Sequence, residues 1–297
     1  MCYVDTRPVT VQKGWRPVGD AEQDAILAKI RDALSGLPGI AGLALGGSRA
    51  RGTADRRSDV DVGVYYHRDG RPDVRELSAA FARIDDSGDA GCTDYGEWGP
   101  WINGGGWLVV DGVKTDVLLR EVDRVRAVVR ACAAGRPEIH YQPGHPHGFC
   151  TVIYAGELHH NVAFHDPQGV LAQLRSLTDP YPEPLAKALV GQFGWESQFA
   201  LDTAVTAAGR GDVAYVTGCA YRAVACLTQV LFATAGRYLV NEKGAVAEAA
   251  TFPTTPAGFR GGVEAALAAL SADPGDLTRA LRLLRDVREE VMAGAGG

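Results

Sequence analysis

Apolar and polar residues alternate along the first part of the chain with spacings that distinguish helices from strands. From Asp20 to Gly36 the apolar positions recur every three or four residues, which predicts an amphipathic helix with Asp20 as its N-cap. The Val- and Leu-rich segments 40–46 and 59–66 are short and read as strands. A loop or helical turn lies between them.

Two further strands are predicted to form a hairpin. Residues 105–122 contain two Val- and Leu-rich arms around Asp111 and Gly112, a pair that a tight type I′ turn prefers. Helical patterns flank the hairpin at 71–86 and 120–134, and another helix follows with a short strand near 162–165. This mixture predicts a β-sheet covered by helices.

The pattern changes at residues 177–185, where three prolines interrupt the chain. Beyond them nearly every segment has helical spacing. The predicted helices span 183–208, 212–236, 244–250, 260–271 and 276–293. The sequence therefore predicts an α+β fold with two domains. Residues 1–178 hold a mixed sheet with flanking helices, and residues 179–297 form a helical bundle.

Composition and charge narrow the class of protein. Of the 297 residues, 46% are hydrophobic and 22% are charged, as in a soluble globular protein, and we expect no apolar run of membrane-spanning length. The N-terminal residues lack the apolar core of a secretory signal, and the six cysteines form no CxxC pair, so a cytoplasmic protein with reduced thiols is expected. A net charge of −6 disfavours a long nucleic-acid partner.

Two acidic residues stand where a strand should be apolar. Asp59 and Asp61 alternate with valines, although Asp is among the residues that strands least favour. Residues two apart in a strand point to the same face, and two such carboxylates repel each other unless cations lie between them. Asp116 has a similar position in the second arm of the hairpin. Three carboxylates on adjacent strands would suit two Mg²⁺ ions and phosphoryl or nucleotidyl transfer.

A glycine-rich turn precedes this pair of aspartates, at Gly46, Gly47 and Ser48. Because glycine lets a phosphate approach the backbone closely, the amide groups of the turn and the Ser48 hydroxyl could hold phosphate oxygens. Arg49 and Arg51 could add positive charge there, or they could belong to a solvated loop.

Together these elements resemble a known superfamily. A Gly-Ser pair, an Asp-x-Asp pair on the next strand and a third Asp on a later strand are the pattern of the polymerase-beta-type nucleotidyltransferases. Here they read GGSRARGTADRRSDVD and VKTDVLL. The resemblance covers roughly residues 20–125. The order of a catalytic domain followed by a helical domain is similar to that of the bacterial antibiotic nucleotidyltransferases of the aminoglycoside and lincosamide type.

The resemblance implies a role for each residue. Gly47 and Ser48 would bind the triphosphate of a nucleotide donor. Asp59 and Asp61 would bridge two Mg²⁺ ions, and Asp116 would bind one metal and help deprotonate an acceptor hydroxyl. Attack on the α-phosphorus would transfer a nucleoside monophosphate, with AMP from ATP as the expected case, and would release pyrophosphate. The expected acceptor is a small molecule such as an antibiotic or a biosynthetic intermediate.

Two later residues extend this hypothesis. Glu157 could act as an additional general base, since some antibiotic-modifying relatives use an extra carboxylate. Lys243 could reach the donor phosphates, as a lysine of the second domain does in similar transferases, or it could be an exposed lysine at a helix C-terminus. The adjacent His159 and His160 do not favour zinc, because their side chains diverge on a helix.

The segment 84–113 combines acidic and aromatic residues. It has no Lys or Arg and contains Trp98, Trp101 and Trp107 among several Asp and Glu residues. As a lip beside a metal site it would suit a cationic or sugar-like acceptor. The alternative interpretation is an acidic surface loop with tryptophans in the core.

Two other functions stay open at this point. The acceptor could be a protein or a tRNA, as for toxin–antitoxin nucleotidyltransferases, although the acidic charge disfavours tRNA. The chain could also be a non-catalytic nucleotide-binding module. The complete set of motif residues favours an enzyme, and Mg²⁺-dependent release of pyrophosphate would distinguish the two.

Overall fold

The structure is a computed structural model that describes residues 19–55 and 57–295, which form two compact units. The sheet unit comprises the described residues up to Val122 together with His160–Val170. The helical unit comprises Asp123–His159 and the described residues from Leu171 onward. The functional boundary at residue 178 stays a prediction. The N-terminal segment that we expect to lack a secretory signal lies outside the described residues.

A mixed sheet forms the centre of the sheet unit. The strands of the described chain are β1 (Ile40–Leu45), β2 (Val60–Tyr66), β3 (Gly105–Val110), β4 (Val113–Glu121), β5 (Ile139–His140), β6 (Phe149–Cys150) and β7 (Val162–His165). Five of them form one sheet in the order β3-β4-β2-β1-β7, and β5 pairs with β6. β2 and β4 are parallel, whereas the other neighbours in the large sheet are antiparallel. The predicted hairpin is the pair β3–β4.

Among the described residues up to Val122, three helices accompany the sheet, namely α1 (Asp20–Leu34), α2 (Gly47–Ala50) and α3 (Val74–Ile84). Apolar side chains of α1 and α3 share a buried core with Val60, Val62 and Val64 of β2. Because successive side chains of a strand point to opposite faces, Asp61 lies on the face away from that core. The fold thus assigns one face of β2 to packing and leaves the other for polar residues.

The predicted cap of α1 is wrong by one residue. Gly19, not Asp20, is the N-cap, and the Glu22 carboxylate accepts a hydrogen bond from the Gly19 N–H at 3.2 Å. Asp20 lies in the first turn of the helix instead. A carboxylate is favourable there because the N-terminus of a helix carries partial positive charge.

The hairpin turn has the conformation that its sequence predicts. Asp111 and Gly112 both have positive φ, at 52° and 76°, as a type I′ turn requires. The Asp86 carboxylate accepts hydrogen bonds from both of their N–H groups, at 2.9 and 2.7 Å. Asp85 accepts a bond from the Val109 N–H at 2.8 Å. Asp85 and Asp86, both in the acidic segment 84–113, therefore stabilise the hairpin through hydrogen bonds to its backbone.

The remaining helices of the described chain are α4 (Val122–Ala133), α5 (Val152–His160), α6 (Val170–Arg175), α7 (Glu183–Ala208), α8 (Val213–Thr234), α9 (Ala245–Ala249), α10 (Phe259–Ala268) and α11 (Pro274–Ala295). In the helical unit α7, α8 and α11 pack against one another. At Gly194 an added Cβ would lie 2.6 Å from Met292 Cε, so glycine permits the close approach of α11 to α7. The predicted α+β class is confirmed.

Helix α8 requires a correction to the expectation that no apolar segment reaches membrane-spanning length. Its 22 residues include an 18-residue window with a mean hydropathy of 1.3. However, 72% of that window is buried inside the structure, and the core helix of a soluble protein has the same length and composition. The helix is therefore weak evidence for a membrane span, and the cytoplasmic location stays a prediction.

Candidate active site

Asp61 and Asp116 are brought together by the register of the parallel strands. Asp61 on β2 lies directly opposite Asp116 on β4. Trp107 on β3 in turn lies opposite Asp116. At the end of β1, the Gly46 N–H donates a 2.8 Å hydrogen bond to the Asp61 carbonyl oxygen. A single row across four adjacent strands therefore runs from the glycine turn through both carboxylates to an aromatic ring.

The glycine turn contacts Asp61 closely. Gly47 has φ +61°, in the left-handed region, and a Cβ added there would overlap the Asp61 carboxylate. A glycine is required at this position both for its conformation and for its lack of a side chain. The backbone that the motif assigns to phosphate binding thus lies beside the first carboxylate of the row.

Asp59 completes the acidic group just before β2 begins. Its neighbour Val60 is the register partner of Thr115, so Asp59 is level with Lys114 on β4. The Lys114 ammonium lies 2.5 Å from Asp59 Oδ2 and 3.1 Å from Asp116 Oδ2. The lysine therefore joins two of the three predicted metal ligands.

Lys114 is a site residue that our sequence reasoning missed. A signal was present in the motif VKTD, because Lys114 is two residues before Asp116 and so shares its face of β4. Partial burial tends to lower the pKa of Lys114, but the hydrogen bonds and negative charge of Asp59 and Asp116 outweigh it, and the pKa is raised. The lysine is consequently a cation at neutral pH.

The residues of this site fit a divalent metal, although they do not form a ready-made cage. In the described part of the chain, no group of three or more His, Cys, Asp or Glu side chains is arranged to hold a metal ion. The oxygens of Asp59 and Asp116 nevertheless converge on one cation, the Lys114 ammonium. Carboxylate oxygens are the ligands that Mg²⁺ prefers, so these side chains could hold Mg²⁺ if the ammonium moved away. The number of ions stays a prediction.

The two arginines predicted to face phosphate make contacts within the loop. Arg49 donates to the carbonyl oxygens of Asp59 and Ser58, at 3.0 and 2.7 Å. Arg51 Nε donates to the Gly47 carbonyl oxygen at 3.4 Å. The Arg49 guanidinium therefore connects α2 to the segment before β2, and the Arg51 guanidinium contacts the glycine turn itself. The contact of either arginine with phosphate stays a prediction.

An aromatic pair borders the acidic group. The rings of Trp98 and Trp107 are stacked, with centroids 4.5 Å apart and planes 22° apart. Trp107 is 64% exposed, whereas Trp101 is buried in the sheet unit. Asn103 orders the loop that carries Trp98, because its carboxamide accepts from the Gly96 N–H and its carbonyl accepts from the Trp98 N–H. Trp101 is thus a core residue, as the alternative interpretation of this segment expected, whereas Trp107 is exposed, and a role of the segment as a lip for the acceptor stays a prediction.

The other two predicted site residues lie in the helical unit. Glu157 is on α5 and is partly exposed. Lys243 is exposed in the turn before α9, where its N–H donates to Asn241 Oδ1 at 2.8 Å. Their roles toward the donor and the acceptor stay predictions.

The helical unit also contains a partly buried polar cluster, formed by Arg222, Glu196 and the buried His147. Arg222 Nη2 lies 2.5 Å from Glu196 Oε1, and Arg222 Nη1 lies 2.8 Å from His147 Nδ1. Burial, followed by the positive charge of Arg222, lowers the pKa of His147 to about 4. His147 is therefore neutral at physiological pH, and no metal-binding group includes it within the described residues.

Comparisons with known proteins bear on both units. Residues 27–94 match the family model of a nucleotidyltransferase domain, and residues 155–243 match a model described as a domain of unknown function, DUF4037. Among solved structures, the chain is similar to a nucleotidyltransferase-like protein from Exiguobacterium sibiricum 255-15. That similarity has 10% sequence identity and a TM-score of 0.43, and it covers 92% of this chain and 77% of the other. No curated protein gives a significant match.

The match to the family model falls on the segment that contains the glycine turn and the Asp-x-Asp pair. It includes Gly47, Ser48, Asp59 and Asp61, whereas Asp116 comes from a strand beyond it. Residues 27–94 are therefore matched as a nucleotidyltransferase domain, which supports the nucleotidyltransferase superfamily that the motifs predict.

Proposed function

We propose that this protein transfers a nucleoside monophosphate from a nucleoside triphosphate, with ATP as the first donor to test, to a hydroxyl group of a small molecule. The observation that carries the proposal is the row in which the Gly47 turn touches Asp61 and Asp61 lies opposite Asp116. Carboxylates next to a glycine turn are what a metal-bound triphosphate requires. The matched nucleotidyltransferase domain supports the same reaction class.

The donor phosphates are assigned to the side of the row that ends in the glycine turn. Gly47 leaves the backbone open to a close approach, and the Ser48 hydroxyl and neighbouring N–H groups can donate to phosphate oxygens. Lys243 of the helical unit is a candidate for further contact with these phosphates.

The acidic residues are assigned to the metal. Asp59, Asp61 and Asp116 would hold it, and bound Mg²⁺ would neutralise phosphate charge and make the acceptor hydroxyl more acidic. Asp116 Oδ2 would take the hydroxyl proton. The acceptor oxygen would then form a bond to the α-phosphorus while the bond from that phosphorus to the β-phosphate oxygen breaks, and pyrophosphate would leave with the electron pair. Positioning and charge stabilisation would account for most of the rate.

The acceptor is assigned to the opposite end of the row. In an in-line displacement the attacking and leaving oxygens lie on opposite sides of the phosphorus. If the leaving pyrophosphate lies by the β1 turn, the acceptor approaches from β3, where Trp107 and Trp98 are stacked. The absence of Lys and Arg from 84–113 favours a cationic or sugar-like molecule, because a cation is attracted both to acidic residues and to the face of an indole ring. Glu157 is a candidate for an additional base.

The test is a mass-spectrometric screen with ATP, GTP, CTP and UTP, Mg²⁺, and a panel of hydroxylated metabolites and antibiotics. The expected result is an acceptor that gains one nucleoside monophosphate with equimolar release of pyrophosphate. An Asp61→Asn variant is the matched inactive control. Nucleotide binding without release of pyrophosphate would instead identify a binding module, and label found only on protein or tRNA would move the acceptor to that class.

A further inference from the structure

We infer that Lys114 is a tethered counter-cation for the metal site, which holds Asp59 and Asp116 together in the nucleotide-free protein and has to be displaced before a divalent cation binds there. The inference rests on the proposed function and deepens it, because it assigns a positioning role to Lys114, a residue that the resemblance gives no role. Lys114 thereby becomes a determinant of how tightly the site binds free metal.

The contacts of Lys114 are those of a cation in a carboxylate site. One nitrogen atom is within 2.5 Å of Asp59 Oδ2 and 3.1 Å of Asp116 Oδ2. These two residues come from different strands, so the ammonium joins β4 to the segment that leads into β2. A metal ion would contact the same oxygen atoms at about 2.1 Å. Ammonium and metal cannot both occupy that position.

The local charge explains why a cation is needed in the absence of metal. Asp61 and Asp116 lie opposite each other on β2 and β4, Asp59 lies just before β2, and like charges on neighbouring positions repel each other. The single charge of Lys114 offsets part of that repulsion. A divalent ion carries twice the charge and can accept more than two oxygen ligands, so it can replace the ammonium once it is available.

Partial exposure makes displacement feasible. The side chain of Lys114 is 37% exposed, and those of Asp59 and Asp116 are 28% and 21% exposed. Water can therefore solvate the ammonium after it leaves, whereas a fully buried lysine would have no such alternative. The displaced ammonium stays tethered to the same face of β4.

The chain contains a matched lysine for comparison. Lys29 makes an equally short contact with Asp111, at 2.6 and 2.8 Å from its two carboxylate oxygens. That pair lies at the tip of the hairpin and involves one carboxylate. The side chains of Lys29 and Asp111 are 49% and 40% exposed, more than those of Lys114, Asp59 and Asp116. Removing Lys29 deletes a salt bridge of the same kind without changing the charge at the metal site.

The experiment measures Mn²⁺ binding to the full chain by calorimetry and by electron paramagnetic resonance, without nucleotide, for the wild type, Lys114→Met and Lys29→Met. We expect Lys114→Met to bind Mn²⁺ at least about tenfold more tightly than the wild type, since it removes the competing charge. Lys29→Met should bind like the wild type. Equal or weaker binding by Lys114→Met overturns the inference.

A second measurement needs no variant. Acetylation of wild-type lysines by a limiting amount of reagent, followed by mass spectrometry, reports how accessible each amine is. We expect addition of Mn²⁺ to increase the modification of Lys114 several-fold and to leave that of Lys29 unchanged. No change at Lys114 under saturating metal overturns the inference even if Lys114→Met does not fold.

The two proposals fail in different ways. If the wild type and Lys114→Met bind Mn²⁺ equally and nucleotidyl transfer is observed, the role of Lys114 is wrong and the proposed function stands. If neither protein binds Mn²⁺ in the presence or absence of ATP, both are wrong.

Discussion

Gly47 lies so close to the carboxylate of Asp61 that any side chain at position 47 would overlap it. A Cβ placed there meets Asp61 Oδ2, and the φ of +61° is itself unfavourable for other residues. At Gly46, one residue earlier, an added Cβ would lie 3.9 Å from Asp61 Cβ, which is an ordinary contact, and the backbone is extended. Position 47 therefore requires glycine, whereas the backbone and the surroundings of position 46 would accept a Cβ.

Substitution of these two glycines separates their roles. Gly47→Ala should reduce kcat/KM for nucleotidyl transfer about a hundredfold, since displacement of a catalytic group by about 1 Å has effects of that size. Gly46→Ala should reduce it by less than about threefold. Steady-state kinetics with Mg²⁺ and ATP compare the two variants. Equal losses would mean that the contact with Asp61 is unimportant.

Removal of the facing carboxylates should abolish transfer. Asp61→Asn and Asp116→Asn should each lower kcat at least about a thousandfold, because each removes charge that holds the metal and positions the phosphates. Asp116→Asn should retain most of its affinity for ATP, since the phosphates are assigned to the glycine turn. Equilibrium binding and single-turnover assays measure both quantities. Asp123→Asn, an exposed residue paired with Arg126, is the control. Normal turnover of either site variant would refute the assignment.

The stability of Asp59→Asn tests the balance of charge in the metal-free site. The substitution removes the ion pair with Lys114, which costs stability, and it relieves repulsion from Asp61 and Asp116, which restores it. The two effects should nearly cancel, so the free energy of unfolding should change by less than about 1 kcal/mol. Urea denaturation in the presence of a chelator provides the measurement. A loss above about 3 kcal/mol would indicate a structural role for Asp59.

The exposed ring of Trp107 should matter for the acceptor and not for the donor. Trp107→Ala should raise the KM for the acceptor about tenfold and leave the KM for ATP unchanged, because the ring stands on the β3 side of Asp116. Trp195→Ala is a suitable control, since Trp195 is equally exposed, at 65%, and is also stacked on a neighbouring ring, that of Phe199. A parallel rise in both KM values would contradict the assigned direction.

The helical unit should lose stability in mild acid because of His147. Its pKa is lowered to about 4, from an ordinary value near 6.5, so the unfolded chain binds a proton at a pH where the folded chain does not. The contribution of neutral His147 to the free energy of unfolding is complete above pH 6.5 and is lost as the pH falls toward 4. Its full size is about 3 kcal/mol.

Denaturant unfolding at pH 7 and pH 5 checks this expectation. The wild type should be less stable at pH 5, and a His147→Gln variant should show a smaller decrease over the same interval. An identical decrease in both proteins would assign the acid sensitivity to other groups.

Local patterns in the sequence predicted much of this fold. The alternation of valines with aspartates in β2 identified a strand with one apolar and one acidic face, and Asp111-Gly112 identified a tight turn. Such features depend on residues close in sequence, whose spacing sets which side chains share a face. The Asp-x-Asp pair and Asp116 were recognisable for the same reason, since Asp in a strand needs a specific cause.

Relations between distant segments were decided by tertiary structure. The parallel register of β2 and β4 places Asp61 opposite Asp116 and brings Lys114 to Asp59, and the loop around Asn103 stacks Trp98 on Trp107. Arg49 binds the carbonyl oxygens of Asp59 and Ser58, a contact that the sequence did not predict, and its role toward phosphate stays a prediction. By itself, then, the sequence determined the elements and the acidic face. Which charges meet across that face depends on strand pairing, because a shift of register changes every cross-strand neighbour.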